Sequence, residues 1–196
     1  MSRLRSFTLD LNAPSDFGPL KTQYEETVKK ILNESNRMAK RAGVNSKEEM
    51  HIVLLTEEMI SVLPHLIEYG SGKFWIDVTD DLFELHIQVT PKAASGAKTR
   101  KLGDPAKKTL MGRVLGVFEK AASGKSESST DDDTSWSLGS YIENLKKQDP
   151  NSMTDEWDEM EHSILANIAD DVVVKRQGSD VDLIISKKVD PPSLDD

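Results

Sequence analysis

The side chains best suited to chemistry in this 196-residue chain are the adjacent carboxylates Glu57 and Glu58, set in the run LLTEEMISVLPHLIEYG. Apolar residues surround them at helical spacing, so a helix would hold both acids beside a largely buried surface. Carboxylates in such a place can bind a metal ion or accept a proton, provided other polar groups converge on them. Other chemistries leave fewer traces. The chain has no cysteine, which excludes disulfides, thiolate zinc sites and cysteine nucleophiles. His51, His65, His86 and His162 lack the short spacing of a helical metal pair. Gly-x-Ser-x-Gly is absent, and Gly124-Lys125-Ser126 lacks the earlier glycine of a phosphate loop.

A net charge of −9 argues against general nucleic-acid binding, yet the charge is unevenly spread. Between Lys92 and Lys125, nine basic residues stand against only Asp104 and Glu119. Such an island suits phosphates, an acidic partner or a solvated basic loop. Trp75, Trp136 and Trp157 fall on separate elements, which fits core or interface positions rather than a stacking platform for single strands. No apolar run approaches the ~20 residues of a membrane span, and Met1 to Leu20 has no continuous apolar stretch. These features lead to the expectation of a cytosolic protein with no membrane or nucleic-acid partner. At 37% hydrophobic and 30% charged, the chain leans polar, so some of it is expected outside the core.

Several elements must position the two acids. Leu4 to Leu11 alternates as a first strand, with Phe7, Leu9 and Leu11 on one side. A helix follows over Lys21 to Ala42 and stops at Gly43; Ser46 and Glu49 form a capping-box pattern for the next. Pro64 predicts a kink or break near Ile60 to Pro64, and Gly70-Ser71-Gly72 predicts the helix end. Phe74, Ile76 and Val78, then Phe83, Leu85, Ile87 and Val89, predict a hairpin around Asp80-Asp81 with one buried face. A loop over Pro91 to Pro105 leads to a helix over Ala106 to Ala122, and the polar stretch Ser123 to Ser135 reads as low-complexity. Trp136 to Leu145 reads as a short strand entering a helix. An amphipathic helix from Thr154 carries Trp157, Met160, Ile164, Leu165 and Ile168. A second hairpin turns at Gln177 to Asp180. Helices followed by antiparallel hairpins favour a two-layer α+β sandwich with helices on one face of a mostly antiparallel or mixed sheet. The expected organisation is one domain over 1–189, with a basic lid-like insertion at about 91–135 and a polar tail at 190–196.

This element order resembles the GHKL superfamily, the Bergerat-fold ATPases that include histidine-kinase catalytic domains and anti-sigma-factor serine kinases. The resemblance rests on EEMISVLPHLIEYG and the hairpin after it, and covers roughly Lys21 to Val189 in element order. It implies a Bergerat-type sandwich in which Glu57 or Glu58 is catalytic and ATP and magnesium are the cofactors. In that family an asparagine four residues beyond the glutamate holds magnesium; here Ser61 and Val62 stand at the two alternatives. The aspartate that reads adenine after the hairpin would align with Thr90. The resemblance further assigns nucleotide contacts to Ser61, Thr90, Gly96, Gly103, Lys107 and Gly112, with the glycines and the lysine in the lid region. It implies a bacterial regulatory role resembling anti-sigma factors, with a protein partner, weak or lost ATP binding, and a homodimer as one assembly. An active ATP-dependent serine or histidine protein kinase and an unrelated α+β interaction module are the alternatives.

Overall fold

The computed structural model describes residues 3–11, 20–68, 70–91, 109–123, 135–147, 160 and 162–190. Strands β1 (Arg3–Arg5) and β2 (Leu9–Leu11) precede helices α1 (Leu20–Ala42) and α2 (Ser46–Glu68). The first hairpin is β3 (Gly70–Thr79) and β4 (Leu82–Pro91), followed by α3 (Leu110–Ser123). Next come β5 (Ser135–Ser137), α4 (Leu138–Lys147) and α5 (Ile164–Ile168), and then the second hairpin, β6 (Asp171–Gln177) and β7 (Asp180–Lys188). The fold is α+β, with a seven-stranded sheet in the order β1-β3-β4-β7-β6-β5 and β2 also paired to β3. Every pairing is antiparallel.

Period-two alternation divides the sheet into two chemically different faces. Phe74, Ile76 and Val78 stand opposite Ile87, Leu85 and Phe83, and that row continues through Leu183, Ile185, Val172 and Val174. All of these are buried, and the helices cover this face. Helix α2 is the hub of that layer, touching α1, α3, α5, β3 and β4. Among the described residues no helix is long and apolar enough to cross a membrane.

Several expectations need local correction. The first strand is split: Arg5 pairs with Asp77 but Leu9 pairs with Phe74, so one extra residue is accommodated between them. This β-bulge lets Leu4 and Leu9, five apart in sequence, face the same core. Ser6 repairs the ladder there, its amide donating to Ile76 O and its hydroxyl accepting from Ile76 N at 2.8 Å. Phe7 does not join Leu9 and Leu11; it is 56% exposed, with the Arg37 guanidinium 4.9 Å from its ring centroid. The cap of α2 is Asn45 rather than Ser46, since Asn45 Oδ1 accepts from Glu48 N at 3.0 Å.

Helix α2 also runs through Pro64 without breaking. Proline has no amide to offer the carbonyl four residues back, which is Ile60. The Tyr24 hydroxyl, 3.5 Å from Ile60 O, supplies a donor from α1 instead. The glycines after α2 belong to β3. A Cβ on Gly70 would lie 1.9 Å from Thr90 O, so the close pairing of β3 with β4 demands glycine there. The short strand entering a helix is found as β5 and α4. The helix expected from Thr154 restarts at Ser163, whose hydroxyl caps α5 through Ala166 N; residues 154–159 lie outside the described residues.

Candidate functional site

Helix α2 presents its two acids differently. Ile52, Leu55, Thr56, Met59, Ile60, Leu63 and Leu66 are buried, which leaves Glu57 exposed and Glu58 half-buried at the margin of the packed surface. Burial, reinforced by the neighbouring Glu57 charge, raises the Glu58 carboxyl above the usual carboxylate range. That is the direction a general base or proton acceptor needs.

Among the described residues, the groups that would complete a magnesium site do not converge on them. Ser61 Oγ donates to Glu58 O at 2.6 Å, so its hydroxyl is turned back onto its own helix. Val62 is 6% exposed and belongs to the core. Among the described residues no group of three histidine, aspartate or glutamate side chains could hold a metal ion. The residues present at these positions therefore do not fit the ion that the resemblance implies.

Of the other expected contacts, the two among the described residues lie apart from one another. Gly112 lies in the first turn of α3, which packs against α2, and its amide donates to Thr109 Oγ1 at 3.0 Å as part of the helix cap. Thr90 is in register with Ser71 at the far end of the hairpin, on the sheet face that turns away from the helices. Its hydroxyl donates to Asp180 Oδ1 at 2.8 Å and so ties β4 to the start of β7. The register thus separates Thr90 from Glu57 and Glu58 by the thickness of the sheet. Gly96, Gly103 and Lys107 lie outside the described residues.

A second constellation, absent from the sequence-based set, occupies that other face. Asp77 accepts from Arg5 Nε at 2.7 Å, from Arg5 Nη2 at 2.5 Å and from Trp75 Nε1 at 3.1 Å. The His86 ring stacks on Trp75, with centroids 4.7 Å apart and planes 6° from parallel, and Arg5 lies 5.7 Å from the Trp75 centroid. Hydrogen bonding to Arg5 holds the Asp77 carboxyl below its ordinary range. Burial lowers His86 to about 4, so its ring is neutral at neutral pH. On β7, the strand next to that of His86, burial raises the Asp182 carboxyl, while the Gln88 amide and the Lys175 charge oppose the shift. His86 Nε2 and Asp182 Oδ1 are buried with no hydrogen-bond partner. Polar atoms left in this state are a cost to folding, and Glu48 Oε2 and His51 Nδ1 on α2 share it. The available signal was the placement of a tryptophan, a histidine and an aspartate at the outward positions of two alternating strands.

No protein-family model matches the chain, and no curated protein sequence matches it.

Proposed function

We propose that this chain is a cytoplasmic regulatory protein that acts through protein contacts, built on a sandwich resembling the Bergerat ATPases, in which ATP binding is weak or lost. One observation carries the reading: the acidic pair sits on an α2 helix before a hairpin, while Ser61 is closed onto Glu58 O and Val62 is packed into the core. Magnesium needs several converging oxygen ligands, and among the described residues the two neighbouring carboxylates on one helix supply too few. Phosphoryl transfer depends almost entirely on positioned charge, so losing those positions removes most of the catalysis while leaving the scaffold intact. The resemblance to anti-sigma factors supports a protein as the partner. Calorimetric titration with ATP, with and without magnesium, tests the proposal. Binding in the millimolar range or absent, and indifferent to magnesium, is the expected result; micromolar, magnesium-dependent binding would overturn it.

The raised Glu58 carboxyl favours a second reading, an ATP-dependent protein kinase with Glu58 as its general base. That reading requires phosphate transfer or ADP release that disappears in Glu58→Ala. Unchanged turnover in that variant would remove Glu58 from the chemistry.

A further inference from the structure

The open face of the sheet has a pattern that its strand register makes explicit. A central row runs across the strands as Trp75, His86, Ile184 and Val173, ending at Ser137 on β5. On one side of it lies the row Arg5, Asp77, Glu84, Ser186 and Asp171. On the other lies Asp10, Lys73, Gln88, Asp182 and Lys175. The central row is aromatic and apolar, and Ile184 is only 8% exposed on it. Among the described residues the helices all cover the opposite face.

We propose that a second copy of this chain covers the open face, the two sheets stacking about a two-fold axis that runs along the Trp75–Val173 row. Such an axis keeps each position along the row and exchanges the two flanking rows. Arg5 then meets the partner's Asp10, and Asp77 meets the partner's Lys73. Glu84 meets the partner's Gln88, Ser186 meets the partner's Asp182, and Asp171 meets the partner's Lys175. Each acid in the first row faces a base or an amide donor, and the orphaned Asp182 Oδ1 faces a hydroxyl donor. The central row packs on itself. The other in-plane axis, parallel to the strands, would set Asp77 against the partner's Asp171 and Lys73 against the partner's Lys175. Like charges reject it, so of the two in-plane axes only the first makes the surface self-complementary.

The size of the face sets the strength. Six strand positions ~4.8 Å apart and about five rows of outward residues give roughly 600 Å² per copy, or about 1,200 Å² in total. That is the lower end for a specific interface, with ion pairs at the rim, so the dimer is expected to be micromolar and salt-sensitive. The surface lies across the sheet from α2, and the inference does not depend on whether the chain binds ATP.

Sedimentation velocity of the full chain across a concentration series tests it. The expected result is a monomer–dimer equilibrium with Kd on the order of 10 μM at low salt. Lys175→Glu should weaken it by about tenfold or more, while Lys146→Glu, on the exposed side of α4, should leave it unchanged. The cysteine-free chain permits a second readout. Val173→Cys, next to the axis, should cross-link to its own copy through a short bismaleimide spanning the ~10 Å between stacked sheets. A chain that stays monomeric to about 1 mM, a dimer indifferent to Lys175→Glu, or a Val173→Cys protein that does not cross-link would each overturn the proposal. Thermal melts of each variant separate loss of association from loss of fold.

Discussion

The two faces of this sheet are built from the same strands, yet they solve opposite problems. One carries Phe74, Ile76, Phe83, Leu85, Leu183 and Ile185, all at 0% exposure beneath the helices. The other carries Trp75, Asp77, His86 and Asp182, whose burial comes with hydrogen bonds, a ring stack and two orphaned polar atoms. The first face spends its residues on stability, because apolar area removed from water contributes roughly 25 cal/mol per Å². The second holds groups that a purely structural surface would replace. Function is therefore better sought where burial is chemically uncomfortable than where it is complete.

The sharpest test of that contrast is truncation on each face. Phe74→Ala, in the covered face, should cost about 3–5 kcal/mol in urea denaturation, because it leaves a cavity among fully buried neighbours. Asp77→Ala should cost less, about 1–3 kcal/mol, because it strands Trp75 Nε1 while Arg5, with its side chain 52% exposed, can turn to water. If the Asp77 variant proved the more damaging, the open face would be the structural one and the contrast would fail.

Acid should sharpen the same distinction. His86 is lowered from 6.5 to about 4 in the folded chain, so it stays neutral there while the unfolded chain takes up a proton first. Its contribution is therefore complete above about pH 6.5, falls as the pH drops towards 4, and then levels off. Partial solvent access limits the total loss to about 1–2 kcal/mol, below the ~3.4 kcal/mol that 1.36 kcal/mol per pH unit would give across that window. Asp77 behaves differently: its lowered carboxyl stabilises the fold above the ordinary value of 3.8 and loses that effect as the pH falls through its folded pKa. A His86→Gln variant should lose the decline between pH 6.5 and 4 and keep the one below it; an unchanged profile would assign the effect to other groups.

These differences also explain what the sequence could reveal. Both hairpins are legible because their apolar residues alternate without interruption, and one face must be buried for that pattern to fold. The split of β1 from β2 is not legible, because it depends on Ser6 filling a backbone hydrogen bond with Ile76, 70 residues away. The unbroken passage of α2 through Pro64 depends likewise on Tyr24, 36 residues from the carbonyl it reaches. The cap of α2 falls one residue before the expected Ser46, because Asn45 with Glu48 repeats the Ser46–Glu49 spacing one position earlier. Glu57 and Glu58 could be placed on a helix from spacing alone. Arg5 and Asp77 are 72 residues apart, and only strand pairing brings them together.

The smallest predicted effect is also the one with an unusual sign. Asp182 is 5% exposed, its Oδ1 lacks a partner, and burial raises its carboxyl from 3.8. A raised carboxyl means the folded chain holds its proton more tightly than the unfolded one, so charging Asp182 costs stability as the pH rises above that range. Asp182→Asn keeps the shape and an acceptor for the Gln88 amide while removing the charge. The isolated monomer should therefore be unchanged or more stable by about 0.5–1 kcal/mol at pH 7, whereas most buried substitutions destabilise. The same substitution should weaken association, because the partner's Ser186 would face a weaker acceptor. Thermal melts at low concentration and sedimentation at high concentration read the two effects separately. A gain in monomer stability with a loss of dimer would mark Asp182 as retained for contact; a loss of both would return it to the fold.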